Sequence, residues 1–188
     1  MIIALCGPSG VGKGYVKQHL LSHFPTAVQP TVVTTRPSRS SDGTDRKAGV
    51  TTQSFFHMVN SGQVIFANQP FGIDWYGFEK KTIEGELVIT EVHVDNVVPF
   101  VQFFGSKLVI VALIADSDYL SLNLNQRGSE TRADQEARLK VAKREVSKIR
   151  DFEKAGAVQI VLQVSMINRD QIASMVVNSL KTHLRQNC

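Results

Sequence analysis

Residues 7–15 read GPSGVGKGY, entered from the apolar run 2–6 and followed by a helical pattern over 15–24. An apolar strand, a glycine-rich turn and a helix are the setting in which a G-x-x-x-x-G-K match builds a phosphate cradle. Glycines let the turn wrap an anion with its N–H groups pointing inward, and the helix N-terminus adds partial positive charge. Ser9, Gly10, Val11, Gly12, Lys13, Gly14 and Tyr15 are therefore the candidate phosphate-loop residues, with Lys13 expected on the β- and γ-phosphates of a nucleotide. Such a lysine is usually followed by Ser or Thr, whose hydroxyl holds Mg2+; here Gly14 follows. Backbone amides still make the phosphate site, but direct hydroxyl coordination of a metal is lost. A glycine-rich turn with no ligand is the plain alternative.

At 188 residues the chain is long enough for one domain with a real core. Its 43% apolar and 20% charged content is that of an ordinary globular protein. A net charge of +4 suits anionic ligands, although a mildly basic surface explains that much charge by itself. Of the two cysteines, Cys6 lies in the first apolar run and Cys188 is the last residue, with no disulfide or metal spacing. That usage points to a reducing, cytoplasmic setting. No basic leader precedes residue 7, and no apolar run approaches the roughly 18 residues of a membrane helix, so neither a signal peptide nor a membrane partner is expected.

Working outward, apolar strands alternate with helical patterns, which predicts an α/β fold with a largely parallel sheet. Strands are expected over 2–6, 31–34, 87–93, 108–115 and 158–164, and helices over 13–24, 95–104, 117–126, 134–152 and 170–184. Two stretches break the alternation. Residues 36–49, RPSRSSDGTDRKAG, are too polar and turn-rich to pack, which makes them a surface loop. Residues 54–78 hold a short helical piece and strand-like runs at 63–67 and 71–78, which suggests a small lobe across from the phosphate loop. On the long helix, Leu139, Ala142, Val146 and Ile149 make the apolar face, and Lys143 and Lys148 read as solvated charge. Basic residues are not interleaved with exposed aromatics, so no nucleic-acid partner is expected.

Four pieces in one order, GPSGVGKG from Gly7, TTRPSR from Thr34, WYG from Trp75 and QRGSET from Gln126 with Arg138 beyond it, resemble the guanylate kinase family over nearly the whole chain. The resemblance implies a P-loop parallel sheet flanked by helices, with a small inserted acceptor-binding lobe and a lid. On that pattern the core spans about 1–34, 79–125 and 139–188, the lobe about 35–78 and the lid about 126–138. The implied reaction is transfer of the γ-phosphoryl of ATP, with Mg2+, to a nucleoside monophosphate. Arg36, Arg39 and Tyr76 match residues that grip the acceptor phosphate, while Arg127 and Arg138 match lid arginines that close on the ATP phosphates and join Lys13 as catalytic residues. A planar guanidinium forks onto phosphate oxygens and stays charged, which suits each arginine. Arg36 and Arg39 as solvated loop cations, and Tyr76 as a core tyrosine with a surface hydroxyl, are the alternatives.

The family reads guanine with an acidic residue in the small lobe, a Ser or Thr after Tyr-Gly, and an Asp closing a D-x-D strand end. Here those places hold Phe66 or Ala67, Phe78, and Glu91-Val92-His93. Guanine's N1–H and amino group need acceptors; phenylalanine offers none, and neutral His93 offers at most one. The acceptor phosphate grip is retained in this pattern and the base reader is replaced, with Phe78 and Trp75 either stacking a base or closing an apolar wall. Glu91 is the candidate Mg2+-side carboxylate, acting through water; Asp116 reads instead as a helix cap. The family's Asn-Asp that seats adenine is not evident in QVSMINRD, residues 163–170.

Two other readings resemble the same fold. One is a kinase for a phosphorylated sugar such as ribose 1,5-bisphosphate, against which the paired arginines of TTRPSR weigh. The other is a catalytically silent interaction module, a type that generally lacks the phosphate loop and lid arginines kept here as Lys13, Arg127 and Arg138. The expected partners are ATP and a phosphorylated acceptor, with the chain a monomer or homodimer.

Overall fold

The computed structural model describes residues 1–39, 42–127, 132–165 and 169–186, with the backbone alone at 71, 126, 127, 132–134 and 186. The core sheet is parallel and built from β1 (Ile2–Cys6), β6 (Val88–Glu91), β7 (Leu108–Ala115) and β8 (Ile160–Val164), in the order β6-β1-β7-β8. β1 and β7 are buried along their whole length, which is why both read as unbroken apolar runs. Alternate side chains serve opposite faces. Ile3, Leu5, Val109 and Val111 pack in one cluster with residues of α1 (Lys13–His23) and α6 (Arg169–Gln186). Ile2, Ala4, Cys6, Ile110 and Ala112 pack in another with α3 (Val97–Phe104) and α5 (Arg132–Lys154).

α4 (Ser117–Arg127) follows β7, and Asp116 caps it by accepting the Tyr119 N–H at 2.8 Å, as its position at a strand-to-helix junction predicts. Among the described residues no helix is long and apolar enough to cross a membrane.

The second sheet has the order β3-β2-β5-β4, made of β2 (Val32–Thr34), β3 (Arg46–Lys47), β4 (Val64–Asn68) and β5 (Tyr76–Glu79), with α2 (Thr52–Asn60) beside it. Phe55, Val33, Val64 and Trp75 form its small core. Here the expectation for residues 31–34 needs correcting, because β2 belongs to this sheet and not to the parallel one. The chain touches the open edge of β6 once, at Val28 opposite Val88, and then leaves it for antiparallel pairing with β5. A run so short shows no partner of its own in sequence. The 71–78 run likewise shortens to β5, because Pro70–Gly72 forms a 3-10 turn.

One irregularity in the second sheet shapes the site. The pairing of β4 with β5 shifts register between Ile65 and Asn68, and Phe66 there adopts φ +55°, a left-handed conformation unusual for a bulky residue. Its ring packs against Phe100 (4.3 Å between centroids), Phe103 (5.4 Å) and Phe104 (5.7 Å) of α3. The Asn96 side-chain amide donates to the Phe66 carbonyl at 3.0 Å. The bulged residue thus fastens the small sheet to the core.

Candidate active site

Parallel sheets gather ligands at the carboxyl ends of their strands. β1 ends at Cys6 and runs directly into the glycine-rich loop, while β6 ends beside it at Glu91. Gly7 has φ +140°, and a Cβ there would lie 2.1 Å from the Leu113 carbonyl oxygen, so a side chain is excluded. Gly12 (φ +102°) precedes α1 and has no side chain to cap it, and the first turn of the helix holds no acidic residue. Its leading N–H groups are therefore left for an anion. Lys13 Nζ donates to the Gly7 and Pro8 carbonyls at 2.7 and 3.0 Å. The Asn123 amide donates to the Gly10 carbonyl at 2.9 Å, and Arg138 donates to Ser9 Oγ at 3.1 Å.

A cleft of about 1150 Å³ separates this loop from the small sheet, and Ser9, Lys13, Gly14, Arg36, Arg39, Tyr76, Phe78, Glu91, His93 and Arg138 all line it. Most side chains expected to act from sequence thus share one cavity. The Arg36 guanidinium is buried, donating to the Pro37 carbonyl at 2.7 Å and to Asp42 at 2.6 Å. Asp42 also accepts the Arg39 backbone N–H at 2.8 Å and faces Arg46 at 3.7 Å. Partial desolvation pushes the Asp42 carboxyl up, but the bonds from Arg39 and Arg36 and the two guanidinium charges outweigh it and hold the group below its ordinary value.

Several expectations change in detail. Tyr15 does not line the cleft; its half-exposed side chain turns to α6, where the hydroxyl donates to Asp170, so only its backbone is available to a phosphate. Val11 is wholly buried, and Gly10 packs against Leu124, so these too offer main chain alone. Phe78 is mostly core, its ring meeting Phe100 at 5.6 Å, and it closes a wall of the cleft. Trp75 packs on Phe55 and Phe56 inside the small lobe. Phe66 turns its ring to α3. The Arg127 side chain, lid residues 128–131, Cys188 and part of QVSMINRD lie outside the described residues.

Other residues of the cleft went unnoticed in the sequence. Lys17, buried one turn beyond Lys13, places Nζ 3.3 Å from both Asp45 and Glu91. His93 Nε2 lies 3.0 Å from Glu145 Oε1, and His93 Nδ1 lies 3.5 Å from Asp95. Glu145 falls three residues after Ala142 and four before Ile149, so helical periodicity alone could have put it on the buried face. Cys6 beneath the loop is a free buried thiol, raised by burial to about 12. Among the described residues no group of three or more His, Cys, Asp and Glu side chains forms a metal cage. Glu91 Oε1 would stand 3.8 Å from a Cβ at Gly14. One carboxylate beside a phosphate loop fits Mg2+, which keeps several waters and takes its other ligands from phosphate.

No protein-family model matches the chain. The guanylate kinase of Tropheryma whipplei (strain Twist) is 31% identical over 160 residues, covering 81% of this chain and 82% of that one. That of Bacillus anthracis is 32% identical over 153 residues, 78% of this chain and 74% of that one. Among solved structures, guanylate kinase from Anaplasma phagocytophilum superposes with a TM-score of 0.70 at 22% identity, covering 97% of this chain and 85% of that one. Shikimate kinase from Acinetobacter baumannii shares the fold more loosely, with a TM-score of 0.54 at 14% identity, over 97% of this chain and 93% of that one. With relatives 31% and 32% identical over about four-fifths of its length, the chain belongs to the guanylate kinase family and is an enzyme of the nucleoside monophosphate kinase type.

Proposed function

We propose that the protein moves the γ-phosphoryl of ATP onto the phosphate of a nucleoside monophosphate. The observation that carries this reading is the shared cleft: Lys13 and the free amides of α1 open onto the same cavity as Arg36, Arg39 and Tyr76. Two phosphate-bearing molecules held from opposite walls meet end to end. Phosphoryl transfer asks little covalent work of a protein, so cations and alignment provide most of the acceleration.

In this reading the phosphate loop and Lys13 bind the donor, Arg138 adds charge from α5, and Arg127 joins it from the lid, residues 126–138. Arg36, Arg39 and the Tyr76 hydroxyl hold the acceptor phosphate within the lobe, residues 35–78. Phe78 and His93 border the acceptor. Glu91, with phosphate oxygens and water, would hold Mg2+, which when bound neutralises charge on the β- and γ-phosphates. The proposed setting is cytoplasmic, as suits a free buried thiol.

The test is ADP release coupled to a spectroscopic readout, with GMP, dGMP, AMP, pyrimidine monophosphates and ribose 1,5-bisphosphate offered in turn. Turnover confined to nucleoside monophosphates supports the proposal. Turnover of the sugar bisphosphate alone transfers the site to that chemistry, and none with any acceptor overturns the kinase reading.

A further inference from the structure

We propose that Asn68 reads the base of the acceptor, pairing its side-chain amide with the Watson–Crick edge of the nucleobase. This rests on the nucleoside monophosphate reading above and deepens it.

The backbone delivers Asn68 to the site. A regular β4 would alternate its side chains without interruption, but the register shift after Ile65 and the left-handed Phe66 reset the alternation. Phe66 goes to the α3 aromatics, and Asn68 falls directly opposite Tyr76. Cross-strand partners share a face of the sheet, as do residues two apart on one strand. Asn68, Tyr76 and Phe78 therefore stand together, and all three line the cleft. Tyr76 carries the proposed phosphate contact, which leaves Asn68 and the Phe78 wall for the rest of the acceptor.

The amide nitrogen is also unsatisfied. Asn68 Nδ2 is buried and has no hydrogen-bond partner among the described residues. Buried polar groups are almost always satisfied, and an exception beside a cavity is a place for an ordered water or a ligand atom. The neighbouring Asp74 carboxylate, by contrast, already faces the Thr35 hydroxyl. Pro70, Ile73 and Val32 add apolar surface to the same cavity, against which a flat ring can lie.

An amide presents one donor and one acceptor side by side. That pattern is complementary to the oxo and ring N–H pair of guanine or uracil and, turned over, to the amino and ring nitrogen pair of adenine or cytosine. An acceptor without a base offers neither. Replacing the amide by a carboxylate leaves acceptors only, which match the two adjacent donors of guanine.

The experiment measures kcat/KM for GMP, AMP, UMP, CMP and the base-free ribose 5-phosphate in the native protein, Asn68→Leu and Asn68→Asp, with the ATP KM and melting temperature of each. For Asn68→Leu the expected result is a loss of about tenfold or more with the preferred nucleotide, and no change with ribose 5-phosphate or in the ATP KM. For Asn68→Asp the preference for GMP over the other bases rises by about tenfold or more. A native protein active on nucleoside monophosphates, with both variants keeping its base preference, overturns the role of Asn68 and leaves the kinase reading standing. A native protein inactive on every nucleotide removes both.

Discussion

Asp42 accepts the Arg36 guanidinium at 2.6 Å while its other oxygen accepts the Arg39 backbone N–H at 2.8 Å. A carboxylate of the loop itself thus occupies an Arg36 donor that the proposed acceptor phosphate would use. A buried guanidinium needs a counter-charge, and Asp42 supplies one when no phosphate does.

Asp42→Asn should therefore destabilise the free protein by about 1–3 kcal/mol, because it leaves buried Arg36 without its ionic partner. Inorganic phosphate or the acceptor should then raise the melting temperature of the variant more than that of the native protein, since binding restores the missing anion. Thermal melts with and without phosphate check this. An equal or smaller shift in the variant would mean that the Arg36 donors are not the anion site.

Lys13→Ala should lower kcat by about a hundredfold or more, because it deletes a cation at the moving phosphoryl group. The fold should survive, as the ammonium bonds only to the Gly7 and Pro8 carbonyls among the described contacts. ADP release together with a melting curve separates the two effects. Unchanged ADP release would count against transfer at this loop.

Arg39→Ala removes an exposed guanidinium at the acceptor end but keeps the backbone N–H bonded to Asp42. The acceptor KM should rise about tenfold or more, the usual scale for a charged hydrogen bond, with the ATP KM unchanged. Steady-state kinetics varying each substrate in turn give the answer, and normal acceptor kinetics would reduce Arg39 to surface charge.

Acid should unfold the protein through a small set of carboxylates. Asp42 is depressed as described above. Glu79 is lowered by its Lys47 hydrogen bond, against desolvation, and by the charges of Lys47 and Lys81; Asp95 is lowered chiefly by Lys148. A carboxyl held lower in the folded chain adds stability above its unfolded value, about pH 4, and that stability disappears as pH falls through the lower folded value. Denaturant melts from pH 7 down to about pH 3 should show the loss below about pH 4, and Asp42→Asn should flatten the slope. A slope unaffected by that substitution would remove Asp42 from the set.

The phosphate loop and the parallel sheet were legible because local chemistry decides them. The unbroken apolar, β-branched run of β7 between turn signals reads as a strand covered on both faces, and Gly7 and Gly12 mark turns with a positive φ that other residues rarely adopt. What stayed hidden depends on partners distant in the chain. The destination of β2 is set by β5, and the inward turn of Asn68 is set by a bulge whose pivot, Phe66, looks in sequence like any strand aromatic. Lys17 reads as an ordinary helical lysine until the fold brings Asp45 and Glu91 to it. Tyr15, one residue past the glycine that departs from the common motif, faces Asp170 because its place on α1 points toward α6 and away from the cleft.

The two sheets share no strand, and their described junction includes the Phe66 ring seated among Phe100, Phe103 and Phe104, the Phe78 ring on Phe100, Val32 and Ile65 packed on the same core cluster, the Asn96 amide and the Lys17–Asp45 ion pair. Aromatic pairs favour offset or edge-to-face arrangements, and the Phe66 contacts include one tilted at 40° and one edge-on at 85°. The two halves of the molecule are therefore joined by side-chain contact, and among the described residues no strand pairing links one sheet to the other.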